Sequence, residues 1–106
     1  MPYTVRKVDR NHAAVRNGLR DLGYGALDIH ALGDGAPDLL VLTPWGMLEL
    51  LEVKMPSEKL TEDEAKFHRK WGCLGGHIHI AYSAEQIHTE LSKERERWLS
   101  TLPSTQ

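Results

Sequence analysis

A predicted β-hairpin is the feature that most strongly limits what this chain can fold into. Residues 38–43 form a short, mostly apolar run preceded by proline, and the turn at residues 43–46 (Thr-Pro-Trp-Gly) leads directly into a returning strand over residues 47–54. Side chains of a strand alternate between its two faces, so the returning strand presents Leu48, Leu50, Glu52 and Lys54 on one face and Glu49, Leu51 and Val53 on the other. The hairpin therefore supplies the antiparallel part of a predicted sheet.

The segments on either side of the hairpin predict three helices and two further strands. Helices are expected over residues 9–22, from the capping box at 61–64 to about residue 71, and from a second capping box at 83–86 onward; strands are expected over 26–32 and 77–82. The apolar stripes expected to face the core are Val8, His12, Val15, Leu19 and Leu22 in the first helix and Ile87, Leu91 and Trp98 in the last. The order αβββαβα predicts an α/β fold in which helices flank a mixed sheet.

Length and composition indicate one small domain without disulfides. The chain has 106 residues, of which 41% are hydrophobic, and the apolar run at residues 39–42 is far shorter than the roughly 20 residues that span a bilayer. The single cysteine, Cys73, excludes an intrachain disulfide and a zinc site built on cysteine pairs. The first residues contain no apolar stretch long enough for a signal peptide, so a cytoplasmic location and no contact with membrane are expected.

Charge is distributed unevenly along the chain. The first twenty residues carry one acid and five basic side chains, which are Arg6, Lys7, Arg10, Arg16 and Arg20. The remaining residues carry eight basic and fourteen acidic groups. A basic end on an acidic body predicts contact with a polyanion such as nucleic acid, although an arm over residues 1–8 that is merely solvated would show the same pattern. The last residues, 101–106, are expected to fray.

Two carboxylates are predicted to meet at one end of the sheet. Asp38 begins the first hairpin strand, and Glu52 lies near the end of the strand that pairs with it. Two acids in that position repel each other unless a cation lies between them, and oxygen ligands suit Mg²⁺ or Mn²⁺. The backbone carbonyl of Val53 is a further possible ligand. These residues therefore predict a site for a hard divalent cation.

Lys54 follows Glu52 by two residues and lies on the same strand face. A lysine beside a bound cation can orient a water molecule and offset the negative charge on a phosphate. An exposed strand pair of Glu52 and Lys54 is the alternative, and the apolar Leu48 and Leu50 on the same face disfavour it.

The motif Pro37-Asp38, followed after 13 residues by Glu52-Val53-Lys54, resembles the signature of the PD-(D/E)XK nucleases. The glycine-rich approach at residues 33–41 and the segment at residues 60–71, with its Leu-Thr…Phe-His…Trp pattern, are similar to the VRR-NUC domain in its stand-alone phage form. The asparagine–histidine pair at residues 11–12 and the stretch at 19–23 add to the likeness, which extends over about residues 9–82. As a whole, 1–106 thus resembles a single VRR-NUC-like nuclease domain.

This resemblance implies a restriction-endonuclease-like fold and a divalent-metal-dependent DNA endonuclease that hydrolyses phosphodiester bonds. It implies that Asp38 and Glu52 are metal ligands, that Lys54 is the catalytic lysine, and that Glu64 points toward the site from the helix after it. Branched DNA such as a four-way junction, or duplex DNA, is the implied partner, together with a second copy of the chain in a homodimer. A phage origin would place the protein in the cytoplasm of the host cell.

The sequence leaves two questions open: the role of Glu64 and the effect of a missing glutamate in the first helix. Glu64 belongs to a capping box and can simply bond back to the amide of Thr61. The family usually carries a glutamate in the first helix, where this chain has Ala14. That departure leaves a catalytically weak or inactive nuclease-fold DNA-binding module as the alternative function, and a structural subunit of a larger complex as a third possibility.

His77 and His79 are two residues apart on the last predicted strand, a spacing that also occurs in zinc sites. No third ligand stands at a diagnostic distance along the sequence. With Ile78, Ile80 and Tyr82 assigned to the other face, the two histidines are expected to face solvent. Cys73 has glycines nearby and no identifiable base, so a role as nucleophile is not expected.

Overall fold

The computed structural model describes residues 7–103 and, for side chains, residues 10–103. The predicted phosphate contacts of Arg6 and Lys7, the start of the basic arm and the end of the tail therefore lie outside the described residues. Within the described part of the chain, no helix is both long and apolar enough to cross a membrane.

The element order is α1 (Lys7–Asp21), β1 (Gly25–Asp28), β2 (Leu39–Leu42), β3 (Leu48–Val53), α2 (Glu62–Cys73), β4 (Ile78–Ala81) and α3 (Ala84–Thr101), with one 3₁₀ turn at His30–Leu32. This order confirms the predicted αβββαβα arrangement, and both capping boxes are present. The predicted strand over residues 26–32 is wrong beyond Asp28, because β2 begins only at Leu39 and offers no partner to the intervening residues. Those residues form the 3₁₀ turn and a loop instead.

The four strands form one mixed sheet in the order β1-β2-β3-β4. The first three strands are antiparallel, whereas β3 and β4 are parallel. Helices α1 and α3 cover one face and form the hydrophobic core with it, and the buried residues at its centre are Val15, Leu19, Leu39, Val41, Leu51, Ile87 and Leu91. Since β3 alternates, Glu49 and Leu51 face these helices while Glu52 faces the opposite side.

Two residues of the predicted core stripes are exposed, His12 is only partly buried, and Val8 lies outside the residues whose side chains are described. Leu22 is 43% exposed and Trp98 is 55% exposed. Trp98 lies beside Trp45 and Met47 at the hairpin turn, beyond the last strand pair, and lines a cavity there. A helical stripe predicts burial only as far as a partner surface extends, and α3, at 18 residues, is much longer than any strand of the sheet.

The second face of the sheet carries α2, which has no buried residue. It approaches the sheet through its polar side chains, including His68 at Glu52. On the same face of the sheet, Leu27, Leu42 and Leu48 remain 62%, 46% and 66% exposed. This face is therefore polar where Glu52 and His68 lie, and it is apolar and exposed on β1 and near the hairpin turn.

Candidate active site

Asp38 is fixed at the start of β2 by the neighbouring strand. Its backbone N–H donates to the carbonyl of Leu51 at 3.1 Å, and its Oδ2 accepts a hydrogen bond from the backbone N–H of Val53 at 2.8 Å. The residue is buried, with 8% of its surface exposed. Because β3 itself holds one carboxylate oxygen, Asp38 is locked against the strand that carries Glu52.

Glu52 is completely buried, yet only one of its carboxylate oxygens has a partner. Oε1 lies 3.2 Å from Nε2 of His68, whereas Oε2 has no hydrogen-bond partner in the region from residue 7 to residue 103. Burial, together with the neighbouring Asp38 carboxylate, raises the pKa of Glu52 to about 10. An orphaned buried oxygen beside a second carboxylate is the arrangement that a bound cation would satisfy.

Lys54 is buried at the end of β3 and faces two acids of the following segment. Its Nζ lies 2.8 Å from Oε1 of Glu64 and 3.4 Å from Oε2 of Glu58. Burial alone would lower the pKa of Lys54, but the hydrogen bond to Glu64 and the nearby carboxylates raise it above its ordinary value. Lys54 is therefore a fixed positive charge at neutral pH.

Glu64 both closes the capping box of α2 and points toward Lys54, the two possibilities that the sequence left open. Its Oε1 accepts from the backbone N–H of Thr61 at 2.8 Å, which completes the capping box, and the same oxygen accepts from Lys54. The hydrogen bonds from Lys54 and Thr61 outweigh the effect of burial and lower the pKa of Glu64. The start of α2 is thereby tied to the lysine.

Helix α1 reaches the site with an amide and an imidazole. Asn11 Nδ2 donates to the carbonyl oxygen of Lys54 at 3.2 Å. Nδ1 of His12 lies 3.9 Å from Oδ1 of Asp38, and its Nε2 lies 2.6 Å from Oδ1 of Asp28. Ala14, where a glutamate was expected from the resemblance, is exposed. Among the side chains described for α1, His12 is thus the one that approaches Asp38.

Sequence reasoning missed two histidines. His30, in the 3₁₀ turn, places Nδ1 3.2 Å from Oδ1 of Asp38, and His68 contacts Glu52 from α2. Burial lowers the pKa of His68, so its ring is neutral near pH 7, and an N–H at Nε2 can donate a hydrogen bond to Glu52. The position of His68, four residues after Glu64 on one helix face, was a signal that could have identified it. No sequence spacing pointed to His30.

The predicted DNA-binding residues Arg16 and Arg20 contact β1 and have no contact with Glu52. Arg16 is 2.9 Å from Oδ2 of Asp28, and Arg20 donates to the carbonyl of Ala26 at 2.7 Å, while Arg10 is exposed. Despite slight burial, the hydrogen bonds from His12 and Arg16 lower the pKa of Asp28. The structure therefore brings Asp38, Glu52, Lys54 and Glu64 together and leaves the arginines beside β1.

Without a cation, the protein should lose stability as the pH rises. A carboxyl group whose pKa is higher in the folded state stabilises the fold fully below its unfolded pKa, which is 4.5 for Glu52, and this contribution is lost as the pH approaches about 10. We expect the free energy of unfolding in EDTA to fall by on the order of 3 kcal/mol between pH 5 and pH 9. Urea unfolding across that range measures it, and a flat profile would contradict the buried, isolated state of Glu52.

Comparisons with known proteins agree with this architecture. No family model matches the sequence, and no curated protein matches it either. A solved structure described as "VRR_NUC domain" superposes with a TM-score of 0.66 and 23% sequence identity, and the match covers 83% of this chain and 97% of that chain. The likeness confirms the fold: this chain has the restriction-endonuclease-like α/β fold of a VRR_NUC domain.

Proposed function

We propose that this chain is a divalent-metal-dependent DNA endonuclease that hydrolyses phosphodiester bonds. The observation that carries the proposal is the unpartnered Oε2 of the fully buried Glu52. This residue is a neighbour of the Asp38 carboxylate, and it precedes the charged Lys54 by two residues. Burying two acids together is costly, and no packing need explains it. The arrangement is suited to chemistry on a phosphate.

Asp38 and Glu52 would hold the cation, because the Asp38 carboxylate contributes to the raised pKa of Glu52 and one buried oxygen of Glu52 is unsatisfied. Oxygen donors favour Mg²⁺ or Mn²⁺, and the carbonyl of Val53 is the further ligand that we propose. When bound, such an ion supplies charge to polarise the scissile phosphate and acidifies water. His68 holds the other oxygen of Glu52 in place.

Lys54 would donate hydrogen bonds to the phosphate and to the attacking water. Its ammonium group is already oriented by Glu64 and Glu58, so little reorganisation is needed when the substrate arrives. Asn11 holds the backbone carbonyl of the same residue. Glu64 and Asn11 thus act as positioning residues for the lysine.

We propose that the basic side of α1 contacts the DNA backbone, with Arg6, Lys7 and Arg10 alongside Arg16 and Arg20. Replacing Arg16 and Arg20 together by alanine should weaken binding to all duplex sequences alike. The plot of log K against log salt should flatten by about 0.9 per lost phosphate contact. Arg97→Ala, which removes an exposed arginine of α3, serves as the control. An unchanged slope in the double variant would show that DNA approaches another surface.

We further propose that the chain acts as a homodimer on branched DNA. Three exposed leucines on the sheet face opposite the core, Leu27, Leu42 and Leu48, form an apolar surface that a second copy would cover. A two-fold dimer suits a four-way junction with symmetric cut sites. Leu48→Lys should convert the dimer to a monomer in light scattering, whereas Leu102→Lys should not. A wild-type monomer at high concentration would refute the dimer.

The alternative is a DNA-binding module of nuclease fold with little or no activity. It is favoured by one observation: among the α1 side chains that the structure describes, the one near Asp38 is the imidazole of His12, and Ala14 carries no carboxylate. A cleavage assay on linear, flapped and four-way DNA in Mg²⁺, Mn²⁺ or EDTA separates the two. The endonuclease cuts only with the metal, whereas the module binds DNA in all three conditions and cuts in none.

A further inference from the structure

A second group of ligand-type side chains lies on the opposite face of the sheet from Glu52. It consists of Glu49 on β3, His79 on β4 and Glu94 on α3, and one ligand atom of each lies within 4.8 Å of the others. The expectation that His79 faces solvent is wrong, because it pairs beside Leu51 on the core face and is only 6% exposed. His77 is exposed as expected.

The spacing of these atoms differs from that of a hydrogen-bonded cluster. Nε2 of His79 lies 3.5 Å from Oε2 of Glu49 and 3.6 Å from Oε2 of Glu94. Hydrogen bonds between such groups are about 2.7–3.2 Å long. Ligands placed about 2.0–2.2 Å from a tetrahedral zinc ion are separated from one another by about 3.3–3.6 Å. Both distances from Nε2 of His79 therefore match the separation of two zinc ligands better than the length of a hydrogen bond.

We propose that Glu49, His79 and Glu94 form a second metal site, which takes Zn²⁺ or a similar late first-row divalent ion. Imidazole nitrogen and carboxylate oxygen are both zinc ligands, and the two negative charges balance the ion. The nitrogen ligand also distinguishes this site from the all-oxygen pair of Asp38 and Glu52, which favours harder ions.

The group is open to solvent on one side. Glu49 and Glu94 line a cavity of about 380 Å³ together with Trp45 and Trp98. An ion could therefore reach Glu49 and Glu94 from the cavity without unfolding of the core. The site joins β3, β4 and α3, so a bound ion would fasten the long helix to the sheet and raise the thermal stability of the fold.

Zinc titration of the full-length chain tests the proposal, with Asp38→Asn and Glu52→Gln combined to remove the other candidate site. We expect this double variant to bind one Zn²⁺ per chain, with a rise in melting temperature, and we expect millimolar Mg²⁺ not to displace the zinc. Adding Glu94→Gln should weaken zinc binding at least about 100-fold, since even indirect partners of metal ligands contribute 10–100-fold. Glu96→Gln, a neighbouring exposed glutamate of α3, is the matched control and should bind as before.

Two results would overturn the second site. One is zinc affinity that Glu94→Gln leaves unchanged, and the other is loss of all zinc binding in the Asp38→Asn, Glu52→Gln background. His79→Gln should also abolish binding; if that variant fails to fold because the ring is buried, the result for Glu94→Gln decides, since Glu94 has a 40% exposed side chain. Neither readout depends on nuclease activity.

Discussion

Replacing Glu52 by glutamine should abolish cleavage and at the same time stabilise the metal-free protein. The variant removes one of the two proposed cation ligands, so cleavage in Mg²⁺ should fall by a factor of about 10³ or more. It also removes a buried carboxyl group that must stay protonated in the fold at pH 8 although it ionises in the unfolded chain, while the amide keeps nearly the same shape without that cost. We expect its free energy of unfolding in EDTA at pH 8 to rise by about 1–3 kcal/mol.

Asp38→Ala provides the contrast that separates the two effects. It should lose cleavage to a similar extent, yet it should destabilise the fold by about 1–3 kcal/mol, because the buried N–H of Val53 loses its acceptor. Single-turnover cleavage and urea unfolding of both variants are the measurements. If Glu52→Gln cuts DNA at the wild-type rate, or if both variants shift stability in the same direction, the proposed site is wrong.

The second large effect is expected at Lys54. Lys54→Met should lower the cleavage rate by about 10² or more, because the positive charge beside the phosphate is lost. It should also destabilise the fold, since the partly buried carboxylates of Glu64 and Glu58 lose the ammonium group between them. Metal affinity should not decrease, because a charged lysine is not a ligand.

Adding Glu64→Gln to Lys54→Met separates catalysis from stability. The amide oxygen of glutamine can still accept the capping hydrogen bond from Thr61, and the unpaired charge disappears. The double variant should therefore recover most of the lost stability while remaining as slow as Lys54→Met alone. Recovery of the rate along with stability would mean that Lys54 only supports the structure.

How much of the candidate site could be predicted depended on distance along the chain. Asp38, Glu52 and Lys54 belong to one hairpin, so strand alternation and a short turn were enough to place them together. His30 and His68 come from separate elements, and their contacts depend on how α2 and the 3₁₀ turn pack. Such packing is decided by tertiary contacts that no local pattern contains.

The prediction for His79 failed for a related reason. Alternation correctly separated His77 and His79 from Ile78 and Ile80, but it does not tell which face a helix pair covers. Helices α1 and α3 cover the face that carries His79 and Ala81, which is why both are buried. The proposed second site combines His79 not with His77 but with Glu49 of the neighbouring strand and with Glu94 of α3, fifteen residues later in the chain.

The alternation of β3 also protects the chain from misassembly. In the native register Leu51 and Val53 enter the core, whereas Glu52 and Lys54 face α2. A slip of one residue against β2 would turn every side chain over and push both charges among Leu19 and Leu91, at a cost far above that of burying leucine. The polar side chains proposed to perform the chemistry thus also disfavour the neighbouring register of β3 against β2.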